Sequence, residues 1–586
     1  MKNYIYSFLF LFLPLFATAQ IKWYNPLEGD IPNVQGRAWN SEIGKSFHRL
    51  PVRAKANVRG VVWNLSTNSS GLHIDFYSNA PEIIIKYTVS ASISQWNMPA
   101  IACSGVDMYA TDSHGVTDWC ACPSNFNFGK NRGDTIVFHY KGLDYHNNHK
   151  LGSEYQLFLP LLNEVTSLSI GVPDSSLFKF APLSSEKPIV VYGTSIAHGI
   201  AASRPAMSWS NQVARKLDSP VVNLGFSGNA LMEPAIFDLM SEVKSQLYII
   251  DCMPNMYPSH DSIYARTING VAKLRAKSNT PILLVENDGY MYGTTNKAIE
   301  NECTVTNVEL RRAYDKLIAD SVKGLYYLSK EEIGITPDAQ VDGWHPSDLG
   351  MTEYANAYVN KINDILGRNV LPIFEPCSQR REPHNYEWRE RHEAVVKRNA
   401  TENPEVLMIG NSITHFWGGY PEHRTQNGKK SWKKLFGKKS VTNMGFGWDR
   451  IENVVWRIYH GELDNCSPKH IFMMIGTNNL EKNSNEEIVS GIIELSKLIR
   501  SHQLETKLHI VKIFPRKDQE ERIASLNTLL EETLIKDELT DIVDCTSALL
   551  KNDGSGKIDE SLFSDGLHPN EKGYDRISTI LSPYIK

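Results

Sequence analysis

The stretch Val190-Val191-Tyr192-Gly193-Thr194-Ser195-Ile196-Ala197-His198-Gly199 decides the fold, and Val406-Leu407-Met408-Ile409-Gly410-Asn411-Ser412-Ile413-Thr414-His415 repeats it. In each, an apolar run rich in β-branched residues reads as a buried strand, a Gly permits a sharp turn, and a Ser follows at the strand's carboxyl end. Open α/β sheets put their chemistry at that end. Alone, either triplet is no more than a polar cap on a helix after a strand. The residues downstream of each Ser give it a second meaning.

Around the first stretch, strands read at Ile189 to Tyr192, Val221 to Leu224, Leu247 to Ile250, Pro281 to Val285 and Gly324 to Leu328, with amphipathic helical stretches such as Trp209 to Leu217 and Val308 to Val322 between them. This alternation predicts a doubly wound parallel sheet with helices on both faces over 183–370. Leu371 to Asn385, rich in Pro, Arg and Glu, reads as an exposed linker. Over 386–586 the cycle restarts, with a helix from Tyr386 to Arg398, strands at Val406 to Ile409, Ser440 to Asn443, His470 to Ile475 and Leu508 to Ile513, and helices near Ile488 to Ser501 and Glu520 to Leu534. The last third repeats the middle one.

Upstream, over 20–182, short runs recur between Asn, Ser, Gly and Pro clusters: Gly60 to Leu65, Leu72 to Tyr77, Glu82 to Val89, Asp134 to Tyr140 and Tyr155 to Pro160. Several alternate with period two, which predicts an all-β sandwich of jelly-roll type. Residues 1–19 have Lys2, an apolar core and Ala17-Thr18-Ala19 before Gln20, the layout of a signal peptide, so a periplasmic or extracellular protein is expected. The apolar run falls short of the ~20 residues a membrane span needs, and no span is expected elsewhere.

At 586 residues the chain exceeds one core. A net charge of −5 without long basic runs argues against a nucleic-acid partner. Eight Cys are scattered without metal-ligand spacing, so neither metal nor cofactor is implied. A bridge among Cys103, Cys120 and Cys122 is compatible with export, and buried thiols are equally compatible with the rest. Oligomeric state is left open.

After Ser195 come Asn223-Leu224-Gly225-Phe226-Ser227-Gly228-Asn229, Asp251-Cys252-Met253-Pro254-Asn255 and Asp342-Gly343-Trp344-His345-Pro346. Each lies at or just past a predicted strand end, so doubly wound topology gathers them on one rim. A Ser hydroxyl needs a base to become a nucleophile, and His titrates nearest working pH, which makes His345 the base. Asp342 can reach the other ring nitrogen and fix the tautomer. The N–H of Ser195, the N–H of Gly228 and the amide of Asn255 are candidate oxyanion donors.

This ordered set resembles the SGNH (GDSL-type) hydrolase superfamily, whose blocks supply Ser, Gly, Asn and His, with the Asp three residues before the His. The second copy presents Ser412, Asn443-Met444-Gly445-Phe446-Gly447-Trp448-Asp449, Asn478, Asp565 and His568. His345 follows Ser195 by 150 positions and His568 follows Ser412 by 156. Two departures stand out. The usual Asp before the Ser is Thr194 and Asn411, and Trp448 stands at the oxyanion Gly, so that either Trp448 or Gly447 is the donor there. An ordinary L-residue conformation is expected for Trp448, with its ring walling the pocket. Arg49-Leu50-Pro51, Val61-Val62-Trp63 and Gly105-Val106-Asp107-Met108-Tyr109 resemble the GxDLY-type β domain that precedes some SGNH hydrolases. Asp107 and Tyr109 are read as turn and packing residues, with reach to the first active site as the alternative, and His198 and His415 as helix-start residues bonding locally, with lining of the pocket mouth as the alternative.

The resemblance implies an exported serine esterase with two catalytic domains, acting on small acyl esters, acetyl above all, of carbohydrates. Lipid or aryl esters are the alternative substrates. A glycan-binding protein with one inactive hydrolase domain is the reading outside enzymology.

Overall fold

The computed structural model describes residues 20–129, 133–143, 149–368, 375–382 and 384–585. The expected signal peptide lies outside the described residues. Ten strands, Ile21–Tyr24 (β1), His73–Ser78 (β2), Glu82–Val89 (β3), Asp107–Thr111 (β4), Thr117–Cys120 (β5), Phe126–Asn127 (β6), Ile136–Lys141 (β7), Ser153–Phe158 (β8), Val165–Pro173 (β9) and Phe178–Phe180 (β10), form two antiparallel sheets. Their orders are β1-β9-β3-β7-β6 and β10-β2-β8-β4-β5. Period two explains the sandwich: Ile83, Ile85, Tyr87 and Val89 of β3 point into one core with Ile74, Phe76, Leu157 and Ile170.

Gly60 to Leu65, expected as a strand, is helical over Gly60–Ser66. Its buried positions, Val62 and Ser66, are four apart, whereas Val61 is exposed. Val62 packs with Trp39, Ile43, Leu50 and Ala54 beneath Val190, Tyr192 and Val222. These five side chains therefore cover a face of the first parallel sheet, whereas Phe47 of the same segment packs into the sandwich core.

That sheet comprises Ile189–Gly193 (β11), Val221–Gly225 (β12), Leu247–Asp251 (β13), Ile282–Val285 (β14) and Leu325–Leu328 (β15), in order β12-β11-β13-β14-β15. Val406–Gly410 (β16), Val441–Gly445 (β17), His470–Met474 (β18), Lys507–Val511 (β19) and Thr540–Val543 (β20) repeat the order as β17-β16-β18-β19-β20. All pairings in both sheets are parallel. β11 and β16 are buried along their whole length because helices cover both faces. Val190 and Tyr192 face one apolar core, Ile189 and Val191 the other. In the second unit, Leu407 and Ile409 face one core and Val406 and Met408 the other.

The helix expected at Val308 begins at Lys297, capped by Asn296. β20 carries no strand signal in the sequence, because Thr540-Asp541-Ile542-Val543 is short and half polar. The segment read as an exposed linker is docked along its described residues 375–382. Gln379 is buried and donates to Gly447 O and Asp449 Oδ1, and Arg380 donates to Gly152 O and His149. Its polar side chains satisfy loop carbonyls of two other units, which composition cannot reveal. Cys103 and Cys122 are thiols without a bridge between them.

Candidate active sites

Chain reversal at β11 and at β16 puts the two nucleophile candidates at matching points. In a 2-1-3-4-5 sheet the first strand is the topological switch, where neighbouring connections diverge and leave a crevice. Ser195 begins a helical turn directly after β11, and Ser412 does so after β16. The preceding Gly is a packing requirement: a Cβ on Gly193 would sit 2.6 Å from Ala197 Cβ, and one on Gly410 2.2 Å from Thr414 Oγ1. Thr194 and Asn411 are N-caps, accepting from the N–H of Ile196 (3.3 Å) and Ile413 (2.9 Å). That explains why the residue before the Ser can vary.

The structure brings both sets of sequence-predicted residues together. His345 Nδ1 lies 2.7 Å from Asp342 Oδ2, and its Nε2 lies 2.9 Å from Ser195 Oγ. The corresponding distances for His568, Asp565 and Ser412 are 2.7 and 2.8 Å. A carboxylate only accepts, so Nδ1 carries the proton and Nε2 is free to accept from the Ser hydroxyl. Each Asp also accepts the backbone N–H of its His through Oδ1. Burial pushes Asp342 up, but hydrogen bonds from Asn97 and His345 outweigh it and hold the carboxyl below its usual range. Asp565 is lowered in the same way, burial again opposed by the N–H and ring of His568.

The oxyanion loop corrects one expectation. Trp448 is not in an ordinary L-residue conformation: its φ is +67°, against +65° for Gly228. Its backbone therefore occupies the left-handed region that Gly228 adopts. Gly447 is the poorer donor candidate, because its N–H already donates to His415 Nδ1 at 3.2 Å. Ser227 N–H donates to His198 Nδ1 in the same way. Among the described residues, the N–H groups of Gly228 and Trp448 have no protein acceptor. Asn255 accepts Ala230 N–H through Oδ1, which leaves its NH2 for a ligand oxygen. Asn478 donates one N–H to Asp449 O at 2.9 Å and keeps the other. The Trp448 side chain is half exposed.

Several residues that support these loops were not assigned from sequence. Asn223 folds its side chain into the turn, accepting Gly225 N–H and donating to Ala197 O and Ser210 Oγ. Asn443 does the same with Gly445 N–H, Thr414 O and Gly418 O. Beneath each loop lies a buried guanidinium. Arg49 donates to Asn223 O and Gly225 O, and Arg391 to Asn443 O and Gly445 O. Each also lies over the ring of Phe226 or Phe446. The two Arg come from different places: Arg49 from the segment after β1, Arg391 from the helix Trp388–Glu402. His198 and His415 are held neutral by burial and then by these Arg. They serve as acceptors for loop N–H groups 29 and 32 positions away, a structural role but not the local helix-start bonding expected for them.

Asp107 and Tyr109 of the GxDLY-like motif hold Arg204. Asp107 pairs with its guanidinium and accepts Ala206 N–H, and Tyr109 OH accepts from Arg204 Nη2. Both sit on β4, not in a turn, and act through this ion pair and these hydrogen bonds, clamping the loop that follows the Ser195 turn onto the sandwich. Among the described residues no group of three or more His, Cys, Asp and Glu is arranged to hold a metal, and no helix is long and apolar enough to cross a membrane.

Comparison with known proteins agrees with this geometry. Residues 186–363 and again residues 408–576 match GDSL-like lipase/acylhydrolase families, and residues 21–178 match GxDLY, the N-terminal domain of SGNH-hydrolase-type esterases. A GDSL-like lipase structure from Bacteroides ovatus aligns at 28% identity with a TM-score of 0.53, covering 59% of this chain and 98% of its own. Platelet-activating factor acetylhydrolase IB subunit alpha2 of Homo sapiens is 29% identical over 202 residues, 34% of this chain and 83% of that protein. The human alpha1 subunit is 25% identical over 198 residues, 33% of this chain and 80% of that protein. The chain belongs to the GDSL-like (SGNH) hydrolases, carrying two such domains in tandem behind a GxDLY domain.

Proposed function

We propose that this hydrolase is an exported esterase that removes small acyl groups, acetyl above all, from carbohydrates, with Ser195 and Ser412 as the nucleophiles of two working sites. The observation that carries the reading is the pair of matching Ser–His–Asp hydrogen-bond chains. In the first site, His345 Nε2 takes the Ser195 proton as Oγ attacks the ester carbonyl. The resulting oxyanion lies against the N–H of Ser195 and Gly228 and the amide of Asn255. His345 then protonates the leaving alcohol, and water repeats the sequence to free the acid. Ser412, His568, Trp448 N–H and Asn478 run the same steps in the second site, with Asp342 and Asp565 stabilising the imidazolium in each.

Acetyl specificity is supported by the acetylhydrolase relatives. Carbohydrate is supported by partly exposed aromatic side chains: Trp344, packed with Tyr290 and Tyr292 beside His345, and Trp448, in the loop after β17. Such faces stack on the apolar side of a sugar ring. The same relatives favour an acetylated lipid as the second reading. The complete hydrogen-bond chain of each domain speaks against a binding module with one inactive half. Export rests on the signal-peptide layout of residues 1–19.

The test is acetate release from a panel of acetylated glycans and an acetylated phospholipid, by wild type and by Ser195→Ala and Ser412→Ala. Preference for the lipid across both sites contradicts the carbohydrate reading, and absence of acetate from every substrate contradicts the acetyl reading.

A further inference from the structure

The two hydrogen-bond chains differ at the carboxylate. Asp565 is half exposed, its side chain 53% accessible, and among the described residues its donors are the N–H groups of Leu567 and His568 and the His568 ring. The Asp342 side chain is 8% accessible and has one donor more. Asn97 Nδ2 reaches Asp342 Oδ2 at 2.9 Å, on the same oxygen that accepts His345 Nδ1.

Asn97 belongs to the N-terminal region, 245 positions from Asp342. It sits in a tight turn closed by two backbone bonds, Gln95 N to Met98 O (3.1 Å) and Met98 N to Gln95 O (3.2 Å). Met98 anchors the turn in the apolar core shared with Val191 and Ile196 of the first α/β unit. The amide orientation follows from chemistry: a carboxylate oxygen accepts only, so the NH2 end must face it. Asn97 Oδ1 is left buried with no hydrogen-bond partner among the described residues. A buried acceptor left unpaired is costly, and its persistence fits a side chain held for the sake of its other end.

We propose that Asn97 is a positioning residue of the first site, fixing Asp342 so that His345 faces Ser195. The first site is then a four-residue chain, Asn97–Asp342–His345–Ser195, assembled from two domains, whereas the second is complete within its own. This inference rests on the reading of Ser195, His345 and Asp342 given above. The remaining titratable neighbours of Asp342 are His345 itself and Tyr292. Removing a donor concentrates the carboxylate's charge on the His345 Nδ1–H, which shifts the acid side of the pH profile.

The test uses the full chain with Ser412→Ala, so that turnover reports the first site. Asn97→Asp keeps shape and size but has no donor when ionised, and sets a like charge beside Asp342. It should lower kcat about tenfold or more, with KM within about twofold, and move the acid limb of kcat/KM to higher pH. Asn97→Ala should lower kcat less than Asn97→Asp and move the acid limb in the same direction. A merely packing role predicts the reverse order, Asn97→Asp close to the parent and Asn97→Ala impaired, with the acid limb unmoved; that result overturns the proposal. Placing Asn97→Asp on Ser195→Ala instead should leave second-site turnover at its parental value. If Asn97→Asp alone destabilises the fold, Asn97→Ala decides through its acid limb, and an unmoved limb overturns the proposal. Activity surviving in Ser195→Ala, Ser412→Ala would contradict the underlying site reading and is recognised separately from the Asn97 result.

Discussion

Gly228 and Trp448 share one left-handed backbone conformation, although only Gly enters it without cost. For a Trp the strain is roughly 1–2 kcal/mol, and it holds the backbone N–H in the place that Gly228 gives it. What differs at that position is the side chain, a half-exposed indole in the second unit and a hydrogen in the first. Ser195→Ala and Ser412→Ala should therefore show different substrate profiles on one panel, with the second site narrower and slower on generic acetyl esters. Proportional loss across every substrate would mean that Trp448 does not shape the pocket.

The amide of Asn255 is expected to serve the transition state more than the bound ester. With Ser412 removed, Asn255→Ala should lower kcat by about 10²–10³-fold and leave KM nearly unchanged. Asn478→Ala with Ser195 removed should do the same at the second site. A change confined to KM would make these residues substrate-positioning groups.

Arg49 and Arg391 give a test of how the loops are held. Arg49 holds both carbonyls at the end of β12 through Nη1 while its Nε and Nη2 hold Asn68 O and Leu65 O, and Arg391 holds those of β17 through Nε and Nη2, arrays that Lys cannot reproduce. Arg49→Lys should lower first-site kcat and the unfolding temperature while second-site turnover, measured with Ser195→Ala, stays at its parental value. Arg391→Lys should reverse the pattern. Equal damage to both sites from either variant would show that the two loops are not held independently.

In the first α/β unit, burial raises the carboxyls of Asp251 and Asp288 to about 7 each. An acid whose folded pKa exceeds its unfolded value binds more protons when folded, so its contribution to stability is full below about 4 and is lost as pH rises to about 7. Asn mimics the neutral acid. The unfolding temperature of Asp288→Asn relative to wild type should climb between about pH 4 and 7 and level off above. A constant difference over that range would mean that Asp288 is ionised throughout in the folded protein.

The α/β architecture was legible because its signals are local. β-branched runs, a Gly and a Ser recur at strand ends, and the register that pairs Gly193 with Gly225 and Asp251 recurs in Gly410 with Gly445 and Met474. The Ser–His–Asp sets were legible because topology alone gathers strand ends. Gly60–Ser66 was misread because Val61-Val62-Trp63 has strand composition, while the i, i+4 burial that makes it a helix depends on the sheet beneath. The partners of Arg49, Asn97 and Gln379 are hidden in the sequence for a related reason, although Arg49 itself belongs to a motif. Each bonds a backbone carbonyl or a carboxylate far away in the chain, and no periodicity marks a residue whose partner lies in another unit. Trp448 shows the limit from the other side: the sequence placed it at the oxyanion position, but only the backbone revealed that the loop keeps its shape without Gly.

The central claim is that one chain carries two independent serine nucleophiles. The most direct measurement is a pre-steady-state burst titration with an activated acetyl ester, counting alcohol released per chain before turnover sets in. Two equivalents are expected for wild type, one each for Ser195→Ala and Ser412→Ala, and none for the double variant. A burst that remains in the double variant would contradict the account.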